Sequence, residues 1–598
     1  MVAGVKEKAL TIKDKLTKII LTAIETAVKQ EKLGQMKDSA VLVTIEHPRL
    51  PEHGDLACGT PLKLASVARL APLKIAETIA QSLTENPEAG KANIQSYEAV
   101  APGYLNFRLG TGWLKEAIHQ ILHQGANYGR ANLGNGEKVL LEYVSANPTG
   151  DLHVGHARNA VFGSCLANLL NFAGYKVHQE FYVNDAGEQI FQLAECAWAL
   201  YQRKLGKNVP YPETGYPEDS LSEYLDLVIE KHRDAFLKLP GEEGLQKIGE
   251  ATKNTIMEEQ RKLLERMGIK FDLWFSETSL HKENKVADAL KSLADNGWTY
   301  ESDGALWLKA KELGDERDRV LRKSAGNTTY LANDTAYHKN KYDRGFDRFI
   351  TILGADHHGQ VPGLRAVVKA MGNDPDKMEI ILTSIVNLSR DGQIVRMSKR
   401  KGTVVTLAEL ADEVGVDAVR YYLAESNPQN PISFDLELAK STSKENPAYY
   451  IQYAHARCCA ILRRALEPIV DVDTKKEEPP VLTAEKWKQY MQEYQTSPDV
   501  FQPAFDTDSP AFVHQKALVL CLESFPEEVE EAAKSRLPGR LARYAYDVAN
   551  YLQRYYETSR VITDDPAVTK ARLGVIVATK QVLANALGII GVSAPERM

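Results

Sequence analysis

The chain has 598 residues, of which 44% are hydrophobic and 26% are charged, a balance typical of soluble globular proteins. Its net charge of −7 excludes a protein that coats nucleic acid over its whole surface, so RNA contacts must come from local patches. No uninterrupted apolar run approaches the ~18 residues of a membrane helix. The six cysteines form no CxxC pair and no metal-ligand spacing, so we expect reduced thiols, no zinc and a cytoplasmic location.

Residues 1–124 are predicted to form a small α+β domain. Helical spacing of apolar residues predicts an amphipathic helix over 1–36, which the interspersed charges distinguish from a signal peptide. Further along the chain we predict a strand over 41–47, helices over 56–70 and 73–85, strands near 97–100 and 104–109, and a helix over 111–124. A linker rich in Gly and Asn, 125–136, follows.

Residues 125–405 alternate between strand and helix patterns, which predicts a parallel sheet. An insertion at about 190–290 includes a stretch rich in Pro, Gly and Tyr. The chain then becomes helical, with a connecting region over 406–470 and a bundle over 471–598. Within this bundle the polar stretch near 487–510 is predicted to be a surface loop, and we assign it no function.

The first candidate site lies in the stretch 139–164. A predicted strand leads into a polar loop containing Asn147, and His153-Val154-Gly155-His156 then opens a helix. Imidazole N–H groups and free backbone N–H groups at a helix start can bind phosphates together, and Gly155 would let an adenine ring approach the backbone. Taken alone, however, the four residues fit a surface turn at least as well.

The second candidate site is a basic stretch roughly 240 residues further on. Four cations occur within six residues in Arg396-Met397-Ser398-Lys399-Arg400-Lys401. Such a loop suits a mobile clamp on phosphates. The alternatives are a solvated basic loop and a general RNA-binding patch.

The two elements together resemble the HIGH and KMSKS elements of class I aminoacyl-tRNA synthetases. Several stretches are similar to arginyl-tRNA synthetases in particular: EYVSANPTGDLHVGHARNAVFG, EFYVNDAGEQI, NTTYLANDTAYH, GADHHGQVPGLRAVV and RMSKRKGTVVTLAEL. LPEHGDLA and VAPGYLNFRL resemble the N-terminal domain of that family. The sequence departs from KMSKS at Arg396 and Arg400. The resemblance implies an α/β protein with a Rossmann-like catalytic core, an N-terminal α+β domain that touches the tRNA elbow, and an all-α anticodon-binding bundle.

The resemblance also implies an arginine–tRNA ligase that uses ATP, with Mg²⁺, and that needs tRNA to activate arginine. The residues implied in catalysis are His153, His156 and Lys399. Those implied in ATP binding are Gly155, Asp356, His357, Arg396, Met397, Ser398 and Lys401. Those implied in arginine binding are Glu142, Asn147, Tyr330, Asp334 and Gln360. Whether Arg396 or Lys401 assists Lys399 stays open.

The chemistry of a guanidinium ligand agrees with the implied arginine pocket. Carboxylates and planar acceptors at fixed geometry bind guanidinium well. Tyr330 and Asp334 are four residues apart and would share one face of a helix. The alternatives are a solvent-facing strand residue for Glu142, and a core aromatic and a helix cap for Tyr330 and Asp334.

The helix predicted over 538–558 has two faces. One face has core spacing and comprises Leu541, Tyr544, Val548, Leu552 and Tyr555. The other could contact unstacked anticodon bases through Arg540, Arg543, Tyr546, Tyr551 and Arg554. We expect a monomer. Two other functions stay open: a catalytically silent tRNA-binding paralogue, and a nucleotidyltransferase that adenylylates a small acid without RNA.

Overall fold

The computed structural model describes residues 11–33, 41–46, 48, 50–85, 93–395, 405–470 and 477–598. At its N-terminus an antiparallel sheet in the order β1-β2-β4-β3 packs with two helices, α1 and α3, around an apolar core. The elements of this unit are α1 Ile12–Lys29, β1 Ile45–Glu46, β2 Leu56–Cys58, α2 Thr60–Ala68, α3 Pro72–Thr84, β3 Ile94–Val100, β4 Tyr104–Leu109 and α4 Thr111–Gln124.

This unit departs from the predicted elements in three places. The helix predicted over 56–70 begins only at Thr60, because Leu56–Cys58 is a buried strand that pairs with β4. Of the strand predicted over 41–47, residues 41–44 are not strand, Ile45–Glu46 pairs with β2, and residue 47 lies outside the described residues. The helix predicted over 1–36 is seen over Ile12–Lys29, and residues 1–10 and 34–40 lie outside the described residues.

The central unit contains a five-stranded parallel sheet in the order β12-β11-β5-β6-β7, which confirms the predicted sheet. Its elements are β5 Lys138–Glu142, α5 Val154–Phe172, β6 Lys176–Val183, α6 Glu188–Lys204, α7 Glu218–His232, α8 Gly241–Arg266, β7 Leu273–Ser276, α9 Glu277–Lys282, α10 Lys285–Asp295, β8 Thr299–Ser302, β9 Ala305–Leu308, β10 Arg319–Arg322, α11 Tyr330–Asp343, β11 Arg348–Gly354, α12 Val361–Ala370, β12 Met378–Thr383, β13 Val386–Arg390 and β14 Gln393–Ile394.

The strand order explains where a ligand can bind. The chain runs from β5 outward through β6 to β7, and later places β11 on the opposite side of β5. In such sheets ligands bind at the carboxyl ends of the strands, where the order reverses. The candidate crevice therefore lies between β5 and β11.

The segment predicted as an insertion has two parts. Helices α6, α7 and α8 surround an apolar core of their own. By contrast, β7 lies inside the range 190–290 but is the edge strand of the parallel sheet, paired with β6. The insertion therefore ends before β7, because the apolar LWFS segment finds its partner in the sheet.

The C-terminal part is mainly helical, and the helices contribute to an apolar core that continues into the central unit. Its elements are α13 Leu407–Val414, α14 Val416–Glu425, β15 Ile432–Asp435, α15 Leu436–Lys440, α16 Pro447–Leu466, β16 Ile469–Val470, β17 Glu477–Glu478, α17 Ala484–Thr496, α18 Phe512–Glu523, α19 Phe525–Ser535, α20 Gly539–Thr558 and α21 Pro566–Ile590.

Two predictions for this part have different outcomes. The core face of α20 is confirmed, since its five predicted core residues are buried. The surface loop predicted near 487–510 is wrong, because α17 and a following 3-10 helix, Pro498–Ala504, occupy most of it. Tyr490, Tyr494 and Phe501 point their rings into the core, which outweighs the polar composition.

Helix α21 is long and apolar enough to cross a membrane, judged by length and composition alone. However, 67% of its most apolar window is buried inside the protein. The core helix of a globular bundle has the same length, apolar composition and burial.

Candidate active site

The backbone turns sharply where β5 ends. Val144 and Ser145 have φ angles of 69° and 44°, and such a conformation is strained for a β-branched residue by about 1–3 kcal/mol. The buried Asn159 of α5 stabilises the turn, because its Oδ1 accepts from Val144 N–H at 2.7 Å and its Nδ2 donates to the Ile352 carbonyl at 3.0 Å. One side chain thus joins α5 to the ends of both strands that flank the crevice.

His153 and His156 form the start of α5. His153 is the N-cap residue, and its Nδ1 accepts from Gly155 N–H at 3.1 Å. His156 Nδ1 accepts from His153 N–H at 3.2 Å, and the two rings stack with centroids 3.7 Å apart. Because both Nδ1 atoms are acceptors, each neutral ring has its proton on Nε2, where it can donate to a phosphate oxygen.

Gly155 is required by this stacked arrangement. A Cβ atom at this position would lie 2.8 Å from His153 Cε1 and 3.0 Å from His153 Nδ1. A larger residue would therefore push the His153 ring away from its cap. Gly155 is also exposed, so its backbone is accessible to a ligand.

The basic stretch predicted as a phosphate clamp lies outside the described residues, which resume at Val405. This applies to Arg396, Met397, Ser398, Lys399 and Lys401. The chain that follows the stretch is attached to the start of α5. Val154 N–H donates to the Val405 carbonyl at 3.3 Å, and Leu407 N–H donates to the Leu152 carbonyl at 2.7 Å. The described chain therefore resumes beside the start of α5, which carries the two histidines.

An acidic pocket, formed by Glu142, Glu277 and Asp334, lies near the end of β5. Glu142 is 6% exposed, and its Oε2 accepts from Lys341 Nζ at 2.5 Å. Burial, followed by the negative charges of Glu142 and Glu277, raises the pKa of Asp334 to about 7, although Lys341 opposes the shift. Three carboxylates and one ammonium leave a surplus of negative charge, so the pocket suits a cationic ligand.

Glu277 links the pocket to two further elements. It is 4% exposed, and its Oε1 accepts from Asn333 Nδ2 at 2.5 Å. The Nε2 atom of His281 lies 3.7 Å from the same oxygen. Burial raises the pKa of Glu277 even though Tyr182 and Asn333 donate hydrogen bonds to it. The neutral donors Tyr182 and Asn333 thus orient the Glu277 carboxylate without cancelling its negative charge.

A separate ion-pair network supports the pocket from β6. Glu180 is fully buried and accepts from Arg344 NH1 and NH2 at 2.6 and 2.9 Å, and from the Tyr337 hydroxyl at 2.7 Å. Burial alone would raise the pKa of Glu180. Hydrogen bonds from His178, Arg344 and Tyr337, together with the charge of Lys341, outweigh burial and lower this pKa to about 2.

The remaining predicted residues lie at the same sheet edge but differ in exposure. Asn147 is half-buried, and its Nδ2 donates to Gln189 Oε1 at 2.6 Å. Tyr330 is the first residue of α11 and is 72% exposed. It shares α11 with Asp334, as predicted, but is neither a core aromatic nor the cap, which is Thr329. Tyr330 therefore does not form a pocket wall here.

The 3-10 helix Ala355–Gln360 follows β11 and contains the other predicted residues. The Asp356 side chain is 83% exposed, and its Oδ2 lies 3.7 Å from His357 Nε2. His357 Nδ1 and Gln360 Oε1 are 3.2 Å apart. Because β11 and β5 pair in parallel through Thr351 and Glu142, these polar groups lie across the crevice from the acidic pocket.

Comparison with known proteins shows the family. The model for the class I (R) tRNA synthetase catalytic domain matches residues 117–443, and the arginyl tRNA synthetase N-terminal domain matches 14–109. The DALR anticodon-binding domain matches 451–521 and 512–598. Arginine–tRNA ligase of Desulfitobacterium hafniense (strain DSM 10664 / DCB-2) is 40% identical over 575 residues, which is 96% of this chain and 97% of the relative. The chain belongs to the arginyl-tRNA synthetase family.

Two further arginyl-tRNA synthetases agree with this placement. The Bacillus subtilis (strain 168) enzyme is 40% identical over 593 residues, 98% of this chain and 100% of its own. The structure from Thermus thermophilus covers 98% of this chain and 99% of its own with a TM-score of 0.69, at 22% identity, and so shows the fold. The predicted family and fold class are confirmed, and the chain is a class I aminoacyl-tRNA synthetase.

Three residues of this synthetase's candidate site were not found from the sequence. They are Glu277, Lys341 and Tyr182, and none lies in the two motifs. One signal was available for Glu277, because it directly follows β7 at the carboxyl edge of the sheet. Lys341 had a weaker signal, since it lies seven residues after Asp334, on the same helical face.

Proposed function

We propose that the chain activates L-arginine with ATP and transfers the arginyl group to the 3′-terminal adenosine of its tRNA. The arginine carboxylate attacks the α-phosphorus of ATP, the bond to the β-phosphate breaks, and pyrophosphate leaves. The ribose hydroxyl of the tRNA then attacks the adenylate carbonyl and releases AMP. The observation that carries this proposal is the acidic pocket beside the two stacked histidines.

The acidic pocket would bind arginine through its positive charges. Asp334 and Glu277 would accept from the guanidinium, because planar N–H donors and carboxylates form strong charge-assisted hydrogen bonds. Glu142 and Asn147 would hold the α-ammonium end, with Gln360 across the crevice. Tyr330 would close over the ligand from α11, and its exposure leaves it room to do so.

Catalysis would come from positioning and electrostatic stabilisation, with no side-chain nucleophile. His153 and His156 would donate their Nε2 protons to phosphate oxygens, and Gly155 would lie against the nucleotide. Asp356 and His357 would contact the adenosine. Lys399 would stabilise the departing pyrophosphate, with Arg396, Met397, Ser398 and Lys401 completing the clamp.

Mg²⁺ would enter with ATP, because Mg²⁺ usually takes its ligands from phosphates, water and one or two carboxylates. Among the described residues, no group of three or more His, Cys, Asp or Glu could hold a metal. We further infer that the protein acts in the cytoplasm as a monomer, with no membrane among its partners. The N-terminal domain would touch the tRNA elbow.

Helix α20 would present the anticodon-binding face. Arg540, Arg543 and Arg554 are exposed, and Tyr546 and Tyr551 are half-buried. All five side chains therefore have surface that could stack on or pair with bases. Arg540 is paired with Glu528 at 2.9 Å, so that contact would have to exchange for RNA. The silent paralogue and the small-acid nucleotidyltransferase are less well supported, because the acidic pocket and the anticodon-binding domain occur together.

Arginine-dependent exchange of pyrophosphate into ATP tests the proposal. We expect exchange with L-arginine and tRNA present, and little exchange when either is omitted. L-Lysine, which has the charge but not the planar fork, is the matched control and should give no exchange. Absence of arginine-dependent exchange even with tRNA would refute the proposed activity.

The affinity for arginine should depend on pH around neutrality. Asp334 has a raised pKa of about 7, and a bound guanidinium favours its ionised form, so the pKa falls in the complex. The Kd for arginine should therefore be lowest above about pH 7 and rise by up to about tenfold per unit as the pH falls below it. Calorimetric titration with tRNA present measures this, and a Kd that is constant across this range would contradict it.

A further inference from the structure

The lysine beneath the acidic pocket is fully buried. The Lys341 Nζ atom lies 2.5 Å from Glu142 Oε2, 3.3 Å from Thr351 Oγ1 and 4.3 Å from the ring centre of Tyr337. Neither residue of the pair is accessible, with side-chain exposures of 0% for Lys341 and 7% for Glu142. Burying an ammonium is costly compared with an apolar residue of the same shape, so its charge calls for an explanation.

Lys341 acts on two buried carboxylates, Glu180 and Glu142, but its direct ion pair is with Glu142. The nearby Glu180 is already neutralised by two hydrogen bonds from Arg344. His338, next to Lys341 on the inner side of α11, is neutral because burial lowers its pKa well below the usual value. Lys341 is therefore the cation that compensates Glu142.

Around Asp334 the charges are otherwise negative. The carboxylates of Glu142 and Glu277 both oppose its ionisation, and Lys341 favours it. His281 faces Glu277 from α9, and the hydroxyl of Tyr182 donates to Glu277 from β6. Among these groups, Lys341 is the cation that contacts Glu142 and whose charge also favours ionisation of Asp334.

We propose that Lys341 determines the charge selectivity of the pocket by pairing with Glu142, so that Asp334 can ionise beside it and a cationic side chain satisfies both carboxylates. This inference rests on the proposed function. Without Lys341, the uncompensated charge of Glu142 would move the ionisation of Asp334 to higher pH, since neighbouring like charges disfavour each other. A protonated carboxyl group is a donor, and so accommodates a neutral urea as well as a guanidinium. Lys341 acts through the carboxylates and is a positioning residue.

The test compares L-arginine with L-citrulline, in which a neutral urea replaces the guanidinium. Lys341→Gln removes the charge but keeps a donor for Glu142. Thr351→Val is the matched control, because it removes a neutral neighbour of the same carboxylate oxygen at 3.4 Å. Pyrophosphate exchange with tRNA present is measured for both amino acids from about pH 6 to about pH 9, across the titration of the pocket.

The expected result is a shift of the pH profile. In Lys341→Gln the midpoint of the pH profile of kcat/KM for arginine should rise by about one pH unit. At pH values below the midpoint this lowers kcat/KM about tenfold. The preference for arginine over citrulline should fall about tenfold near neutral pH and recover at high pH. Thr351→Val should leave the midpoint and the preference unchanged. A lower Tm for Lys341→Gln with an unmoved midpoint and preference would overturn the inference and make Lys341 a structural residue.

A second variant and the wild-type protein distinguish failure of this inference from failure of the proposed function. If Lys341→Gln is too unstable to assay, Lys341→Arg retains the charge and must keep the wild-type midpoint even if its Tm falls; a shifted midpoint would overturn the inference. The wild-type protein serves as the reference. If it shows no arginine-dependent exchange, the proposed function fails, whereas an active wild type with unshifted variants refutes the role of Lys341 alone.

Discussion

Replacing Asp334 with asparagine is expected to raise the KM for arginine about a hundredfold and to change the KM for ATP by less than about twofold. Loss of one charged partner of a desolvated ion pair costs about 2–5 kcal/mol, and the lower half of this range corresponds to about a hundredfold. The asparagine keeps the shape of the side chain but loses the charge. The dependence of arginine affinity on pH near 7 should disappear with it, because Asp334 is the group with this pKa.

Asp343→Asn is the matched control for Asp334→Asn. Asp343 lies on the same helix, but its side chain is 61% exposed and pairs with Lys339 at 2.9 Å, so we expect no change in either KM. Thermal stability distinguishes a loss of arginine binding from misfolding of the variant. The pKa of Asp334 is raised to about 7 in the folded state, so the folded protein loses stability as the pH rises toward 7 and Asp334 ionises. Asparagine does not ionise and so avoids this loss of stability. The Tm above neutral pH should therefore not fall. Equal increases in both KM values would place the arginine pocket elsewhere.

Replacing Lys399 with alanine is expected to lower kcat for pyrophosphate exchange about a hundredfold or more. Removal of one preorganised donor to a developing charge typically has an effect of about a hundred- to a thousandfold. The KM for arginine should change little, since the acidic pocket is built from other elements. Steady-state exchange with tRNA present measures both constants, and unchanged turnover would exclude Lys399 from the mechanism.

The same substitution at Arg396 and at Lys401 shows which of them assists Lys399. The residue that shares the task should lower kcat by more than about tenfold, whereas a solvated cation should have almost no effect. Both lie in the basic stretch of the sequence that precedes Val405, the residue whose carbonyl accepts from Val154 at the start of α5. If neither variant changes kcat, Lys399 acts alone.

Local patterns in the sequence predicted several parts of the protein well. Helix α4 matches its predicted bounds, Thr111–Gln124, and the core face of α20 is buried as its spacing predicted. Helix α5 begins at Val154, within the four residues predicted to open a helix. These features depend on neighbours three or four residues apart, which the sequence contains directly.

Predictions from local composition were wrong where contacts with residues distant in the sequence determine the structure. The segment Leu56–Cys58 reads as helix but forms a strand, because β4 offers it a complete set of backbone partners. The polar stretch near 487–510 folds into helix because Tyr494 and Phe501 find an apolar core. Tyr330 and Asp334 share a helix, yet only Asp334 faces the acidic pocket.

By itself, the sequence determined the family resemblance, the parallel-sheet core and the start of α5 with its two histidines. Only the tertiary structure decided which residues form the acidic pocket. Glu142, Glu277 and Asp334 come from β5, α9 and α11, and their protonation depends on mutual distance, burial and the nearby Lys341. Electrostatic energies depend on separation in space and on exclusion of water, and neither quantity follows from positions along the chain.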